Sequence, residues 1–174
     1  MRRLADAERI RAFLSSLGRE ARQPVRVFLA GGATAVLFGW RDSTIDVDLK
    51  LVGEGTDVLL RAIPRLKEEL ELNVELAGPD DFLPIPEGWE ARSLFVSQEG
   101  AVAVYHFELV YQALAKIHRG HRQDLEDVRA MLERGLVDAP GLRAAFGAIE
   151  PDLYRYPSID PVSFRRALDE VPGR

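Results

Sequence analysis

A chain of 174 residues with a net charge of -5 and no cysteine has room for one domain with a real core, or for a core domain with a helical extension. Without cysteine there is no disulfide framework, thiolate zinc site or cysteine nucleophile. No apolar run approaches the roughly 18 to 20 residues that span a bilayer, and Met1-Arg2-Arg3 leads into a charged amphipathic pattern rather than a signal-peptide core. The expectation is a soluble, cytoplasmic protein with no membrane partner.

Charge is distributed unevenly. Residues 1–41 hold eight arginines against Asp6, Glu8 and Glu20, a local charge of +5, whereas residues 42–90 carry a local charge of -9. Net acidity argues against nonspecific coating of DNA, yet a local arginine surface suits phosphate.

Ile10, Phe13, Leu14 and Leu17 recur at helical spacing and Gly18 reads as a stop, which predicts a helix over about 4–17. Val25 to Ala30 reads as a buried strand that ends at Gly31-Gly32. Ala33 to Phe38 reads as a short apolar helix closed by Gly39. From Ile45 to Leu51 apolar and charged residues alternate, so a strand would put Ile45, Val47, Leu49 and Leu51 on one face and Asp46, Asp48 and Lys50 on the other. Two carboxylates about 7 Å apart along one strand face repel each other unless a cation or proton sits between them.

After the turn Gly53-Glu54-Gly55, Thr56 or Asp57 caps a helix to about Leu70, with Pro64 a site for a kink or break. Leu72 to Leu76 reads as a third strand, with Leu72, Val74 and Leu76 on one face and Asn73 and Glu75 on the other. Residues 77–91 are rich in Gly and Pro and read as a long loop. Leu94-Phe95-Val96 and Ala101 to Tyr105 then flank a hairpin turn. Helices follow over about 107–119, 123–134, 140–148 and 161–170, the last with Asp160 as cap and Pro161 in its first turn. The chain thus divides into an α/β core, residues 1–106, and a helical region, residues 107–174, expected to pack on it.

A helix opening just after two glycines lets a phosphate approach its backbone N–H groups, although a strand ending in Gly-Gly is also a common tight turn. Hard oxygen ligands of the kind Asp46 and Asp48 offer suit Mg²⁺, and a triphosphate, carboxylate-held Mg²⁺ and a basic residue together make a phosphoryl-transfer site.

Gly31-Gly32, a thirteen-residue spacer, Asp46-Val47-Asp48 and the later Val74-Glu75-Leu76 resemble the motifs of the nucleotidyltransferase superfamily with the DNA polymerase β fold. Leu29 to Ala35 with Arg41 to Leu49, and downstream Leu114-Ala115-Lys116-Ile117 with Arg122 to Val128, are similar to the AbiEii-type abortive-infection toxins. The resemblance covers about residues 25–135. It implies an α/β (α+β) fold with a mixed sheet and flanking helices, and transfer of a nucleotide from an NTP with Mg²⁺ or Mn²⁺. The implied acceptor is RNA or protein, in some toxins the acceptor end of tRNA, and a cognate antitoxin is an implied partner. It assigns Asp46, Asp48 and Glu75 to metal and catalysis, Lys116 to catalysis, and Gly31, Gly32, Arg41, Ser43, Thr44, Asp124 and Asp127 to nucleotide binding.

The sequence departs from the pattern at Gly32, where many active members carry serine, and at Gln123, where arginine is usual. Several positions keep two readings. Asp80 and Asp81 compete with Glu75 for the third-carboxylate role. Lys116 serves either a phosphate or the negative end of its own helix, and Asp124 and Asp127 suit the start of a helix in any case. Arg41 and Ser43 hold phosphate or shape the turn. His106, His118 and His121 show no ligand spacing and read as surface or packing residues. Two other functions compete: a catalytically inactive nucleotide- or partner-binding relative, and an Asp-x-Asp glycosyltransferase, which requires a larger nucleotide-binding domain.

Overall fold

The computed structural model describes residues 4–172; Met1-Arg2-Arg3, and with them the start of the arginine-rich segment, lie outside the described residues. The chain forms two compact units. One comprises the chain up to Gly78 together with Ser93–His106, and the other Pro79–Arg92 together with the chain from Phe107 onward.

The first unit is built on a five-stranded sheet in the order β3-β2-β1-β5-β4, with β1 Val25–Ala30, β2 Asp46–Val52, β3 Asn73–Leu76, β4 Leu94–Glu99 and β5 Val102–His106. β1 runs antiparallel to β2 and parallel to β5; β3 is parallel to β2, and β4 antiparallel to β5. The sheet is therefore mixed. Its apolar face carries Val25, Val27 and Leu29 of β1, Val47 and Leu49 of β2, and Val102 and Val104 of β5. Against it pack helices α1 Ala7–Glu20, α2 Gly31–Phe38 and α3 Thr56–Glu69. The predicted stripe of α1, Ile10, Phe13, Leu14 and Leu17, is buried there, each side chain contributing about 1.5–3 kcal/mol.

Several sequence readings are corrected. Ile45 is 68% exposed and stands before β2. The reason is an antiparallel bridge between Ala5 and Thr44 and a bend at Ile45, so the alternating strand begins only at Asp46. Leu76, the last residue of the edge strand β3, is 54% exposed. α3 runs through Pro64 unbroken, and both Pro64 and Leu60, four residues earlier, are exposed, so water can meet the carbonyl that proline leaves without a donor.

Gly18 is not a stop. Asp6 caps α1 by accepting from the Arg9 N–H at 2.9 Å, and the helix continues past Gly18 to Glu20. A methyl group on Gly18 would overlap the backbone carbonyl of Glu99, and Ser15 donates to the Glu99 carboxylate at 2.9 Å. The glycine lets helix and hairpin touch. Gly18→Ala gains up to about 1 kcal/mol of helix propensity but forces backbone apart at a cost of about 1–3 kcal/mol. The expected result in thermal unfolding is a Tm lower by about 2–6 °C; a raised Tm would refute the contact.

The second unit is helical. It contains a 3₁₀ turn Pro79–Asp81, the single-turn helix α4 Trp89–Arg92, α5 Leu109–Arg119, α6 Arg122–Glu133, α7 Ala139–Ile149, a 3₁₀ segment Glu150–Arg155 and α8 Pro161–Asp169. The Gly- and Pro-rich stretch 77–91 is thus partly ordered rather than a plain loop. Leu83 is fully buried and Trp89 stacks on Phe107 at 4.2 Å. Asp160 caps α8 as expected, accepting from the Val162 and Ser163 N–H groups, and Phe164 of α8 meets Phe146 of α7 edge-on at 4.9 Å. No helix among the described residues is long and apolar enough to cross a membrane.

Candidate active site

β1 passes into α2 without a loop, so the start of α2 lies at the end of a central strand. Gly31 takes φ +58°, the left-handed region that glycine enters without a Cβ penalty. The N-cap is Ala30, which offers no side-chain oxygen, and the first turn holds no acid. The β1–β2 register sets Ala30 beside Asp48, and a Cβ on Gly31 would overlap the Asp48 carboxylate. An acid is therefore held against the positive end of the helix, where the dipole favours negative charge.

At Gly32 the crowding comes from the other side. A Cβ there would overlap the Thr44 hydroxyl and lie 2.6 Å from the Thr44 Cβ and 3.4 Å from Arg41 Nη1. Serine does not fit at position 32 in this arrangement, which gives the departure noted in the sequence a steric cause. Gly31, Gly32, Arg41, Thr44 and Asp48 thus converge, whereas Ser43 lies half-buried in the irregular segment between Arg41 and Thr44.

β2 and β3 pair so that Asp46 faces Asn73 and Asp48 faces Glu75. Asp46, Asp48 and Glu75 therefore share the face opposite the apolar core. Asp46 and Asp48 are half-buried and Glu75 is exposed. The Asn73 side-chain amide donates to the Asp46 carboxylate. Asn73 was not singled out from the sequence; its position two residues before Glu75 on one strand face held the signal, but only the register reveals its partner.

Among the described residues, no group of three His, Cys, Asp or Glu side chains is gathered to hold a metal. The pair Asp46 and Asp48 nonetheless fits Mg²⁺, which uses one or two carboxylates and completes its shell with water and substrate phosphate rather than an all-protein cage. Asp80 and Asp81 sit in the 3₁₀ turn of the second unit.

Within that second unit the downstream motif forms a buried ionic cluster. Lys116 is 4% exposed, and its ammonium lies 2.6 Å from Asp127 and 3.5 Å from Asp124. Arg119 donates twice to Asp124, at 2.5 and 3.1 Å, a bidentate arrangement. In these pairs two cations meet two anions. Lys116 therefore does more than complement the end of its helix. Arg122 and Gln123 are exposed, and Arg122 pairs with Glu126 at 2.9 Å.

His106, at the end of β5, is a buried residue whose spacing indicates no role beyond surface or packing. Its Nδ1 lies 3.0 Å from the Thr34 hydroxyl, one turn into α2, and its ring stacks on Phe38 at 4.5 Å. Burial lowers its pKa from 6.5 to about 4. The folded state thus keeps the ring neutral where the unfolded chain protonates. Its contribution to stability is complete above pH 6.5 and is lost as pH falls towards 4, amounting to about 3 kcal/mol. Urea unfolding of the wild type against His106→Gln should show the two stability curves converging over that range as pH falls; parallel curves would refute the neutral, buried imidazole.

A family model described as "Nucleotidyltransferase of unknown function (DUF6036)" matches residues 7–160. The chain belongs to this family. The match takes in both the Gly-Gly and aspartate-strand region and the ionic cluster of the DUF6036 chain. No curated protein and no solved structure matches it significantly. The DUF6036 assignment supports the nucleotidyltransferase reading of the first unit and agrees with its mixed sheet.

Proposed function

We propose that the protein transfers a nucleotidyl group from an NTP to a hydroxyl of RNA, with the aspartate strand holding Mg²⁺ or Mn²⁺. The observation that carries this reading is the Asp48 carboxylate packed against Gly31 at the start of α2, with Asp46 on the same strand face. Glycine and the helix end offer a triphosphate backbone N–H groups and a favourable dipole. Arg41, beside Gly32, supplies positive charge to the same phosphates. Asp46 and Asp48 would hold the metal, and Asn73 keeps the Asp46 carboxylate oriented.

When bound, the metal neutralises phosphate charge and makes the attacking hydroxyl more acidic. The acceptor oxygen forms a bond to the α-phosphorus, the bond from that phosphorus to the β-phosphate bridge breaks, and pyrophosphate leaves with its electron pair. Glu75, neighbour of Asp48 across the β2–β3 ladder, is the proposed acceptor of the hydroxyl proton. Lys116, Asp124 and Asp127 are assigned to joining α5 and α6 through their buried ion pairs.

The similarity of two motif runs to AbiEii-type toxins supports tRNA as the acceptor and a cognate antitoxin as partner. The test is incubation with each of the four labelled NTPs, Mg²⁺, and either total tRNA or total protein. Label on tRNA supports the reading. Label on protein alone moves the acceptor to protein, and no label from any nucleotide argues against an active transferase.

A second reading rests on the exposure of Glu75, which leaves the proposed proton acceptor open to water. In it the domain binds nucleotide without turning it over. Thermal shift with NTP and Mg²⁺ detects such binding, and the labelling assay separates it from catalysis.

A further inference from the structure

Thr44 occupies an unusual position for a residue in an irregular segment. Its backbone is bonded on both sides to Ala5, with the Thr44 N–H donating at 2.9 Å and the Ala5 N–H donating to the Thr44 carbonyl at 2.8 Å. It is only 9% exposed. Its hydroxyl donates to the Asp46 carbonyl at 3.1 Å. The same oxygen fills the space a Cβ would take on Gly32.

One side chain therefore touches both halves of the proposed site. On one side it abuts the start of α2, and on the other it holds the backbone of the first aspartate. The hydroxyl has a single proton to donate, and that proton is engaged by Asp46. The glycine at 32 allows the close approach, and the Ala5 bridge prevents Thr44 from backing away.

We propose that Thr44 is a positioning residue: by interlocking with Gly32 and holding the Asp46 carbonyl, it sets the distance between the phosphate-binding helix start and the metal-binding aspartates. Its role is to place other groups rather than to contact nucleotide. The inference rests on the nucleotidyltransferase reading given above.

Two predictions separate it from a plain packing role. Thr44→Val keeps the shape but removes the hydroxyl, and Thr44→Ser keeps the hydroxyl. In isothermal titration with each NTP and Mg²⁺, Thr44→Val should weaken the Mg²⁺-dependent part of binding by about tenfold, while Thr44→Ser stays within about twofold of the wild type. Unaltered affinity in Thr44→Val, with only Tm changed, would overturn the proposal.

The interlock has its own test, independent of nucleotide. Gly32→Ala should lower Tm, and adding Thr44→Gly should recover most of that loss because space is exchanged between the two positions. Additive losses would show that the residues do not interlock, and would overturn the proposal. If the wild type binds none of the four NTPs, the nucleotide reading itself fails. If the wild type binds and Thr44→Val binds equally well, only the positioning role fails.

Discussion

Asp48→Asn is expected to abolish nucleotidyl transfer, by about three orders of magnitude or more, while the fold stays intact. The loss follows from the charge. A metal held by carboxylates contributes several kcal/mol to a phosphoryl-transfer transition state, and each 1.4 kcal/mol or so is tenfold in rate. Asparagine keeps the shape and one oxygen but removes the charge that binds the cation. The stability effect is small, because two terms oppose each other. Asp48 lies beside Glu75 across the ladder and shares its strand face with Asp46, and like charges on neighbouring strand positions destabilise by about 0.2–1 kcal/mol. Removing one relieves that repulsion but also loses the favourable contact of the carboxylate with the start of α2, worth about 0.3–1 kcal/mol, so Tm should change little. Activity and Tm measured on one preparation decide the matter. A large fall in Tm would make Asp48 a structural residue, and retained transfer would remove it from the site. Asp46→Asn combined with Asp48→Asn should further eliminate Mg²⁺-dependent NTP binding.

Much of this site was readable before the structure because its signals are local. Gly31-Gly32 after an apolar run and the alternation at Asp46-Val47-Asp48 depend only on the period of the strand and the needs of a helix start. The structure places both as expected, with α2 beginning two residues earlier than the apolar pattern indicated. What the sequence did not disclose depends on register and on contacts between distant segments. Ile45 has the right parity for the core, but the bridge from Ala5 to Thr44 decides where the strand begins. Gly18 looks like a helix stop until Glu99, distant in sequence, is seen to lie against it. Asn73 gains its partner only through the β2–β3 ladder. His106 likewise meets Thr34 across 72 residues of chain, a pairing with no periodic trace. Lys116 is the clearest case. Its place near the end of α5 suits both a phosphate contact and a helix-end charge, and only the fold brings Asp124 and Asp127 to it.

That cluster carries the largest expected stability effect. Asp127 is fully buried and its partner Lys116 nearly so, so Asp127→Asn leaves an ammonium in the interior with its nearest counter-charge gone. Breaking a buried ion pair by removing one partner costs about 3–5 kcal/mol, a large share of the roughly 5–15 kcal/mol that holds a domain folded. Lys116→Met should cost a similar amount, because it removes the ammonium 2.6 Å from the buried Asp127 carboxylate. The double substitution Lys116→Met with Asp127→Leu removes equal and opposite charges and leaves the Arg119–Asp124 pair, at 2.5 Å, intact. Replacing a whole buried pair by apolar groups of similar size is often neutral or stabilising, so the double variant should recover most of the stability that either single change loses. Urea unfolding of the wild type, Lys116→Met, Asp127→Leu and the double variant measures the coupling, and additive losses would show that the two residues do not act as a pair. The same double variant decides between the two readings of Lys116. If the lysine serves only to join α5 and α6, the refolded variant binds NTP with Mg²⁺ as the wild type does. If its ammonium also serves a phosphate, stability returns but affinity does not.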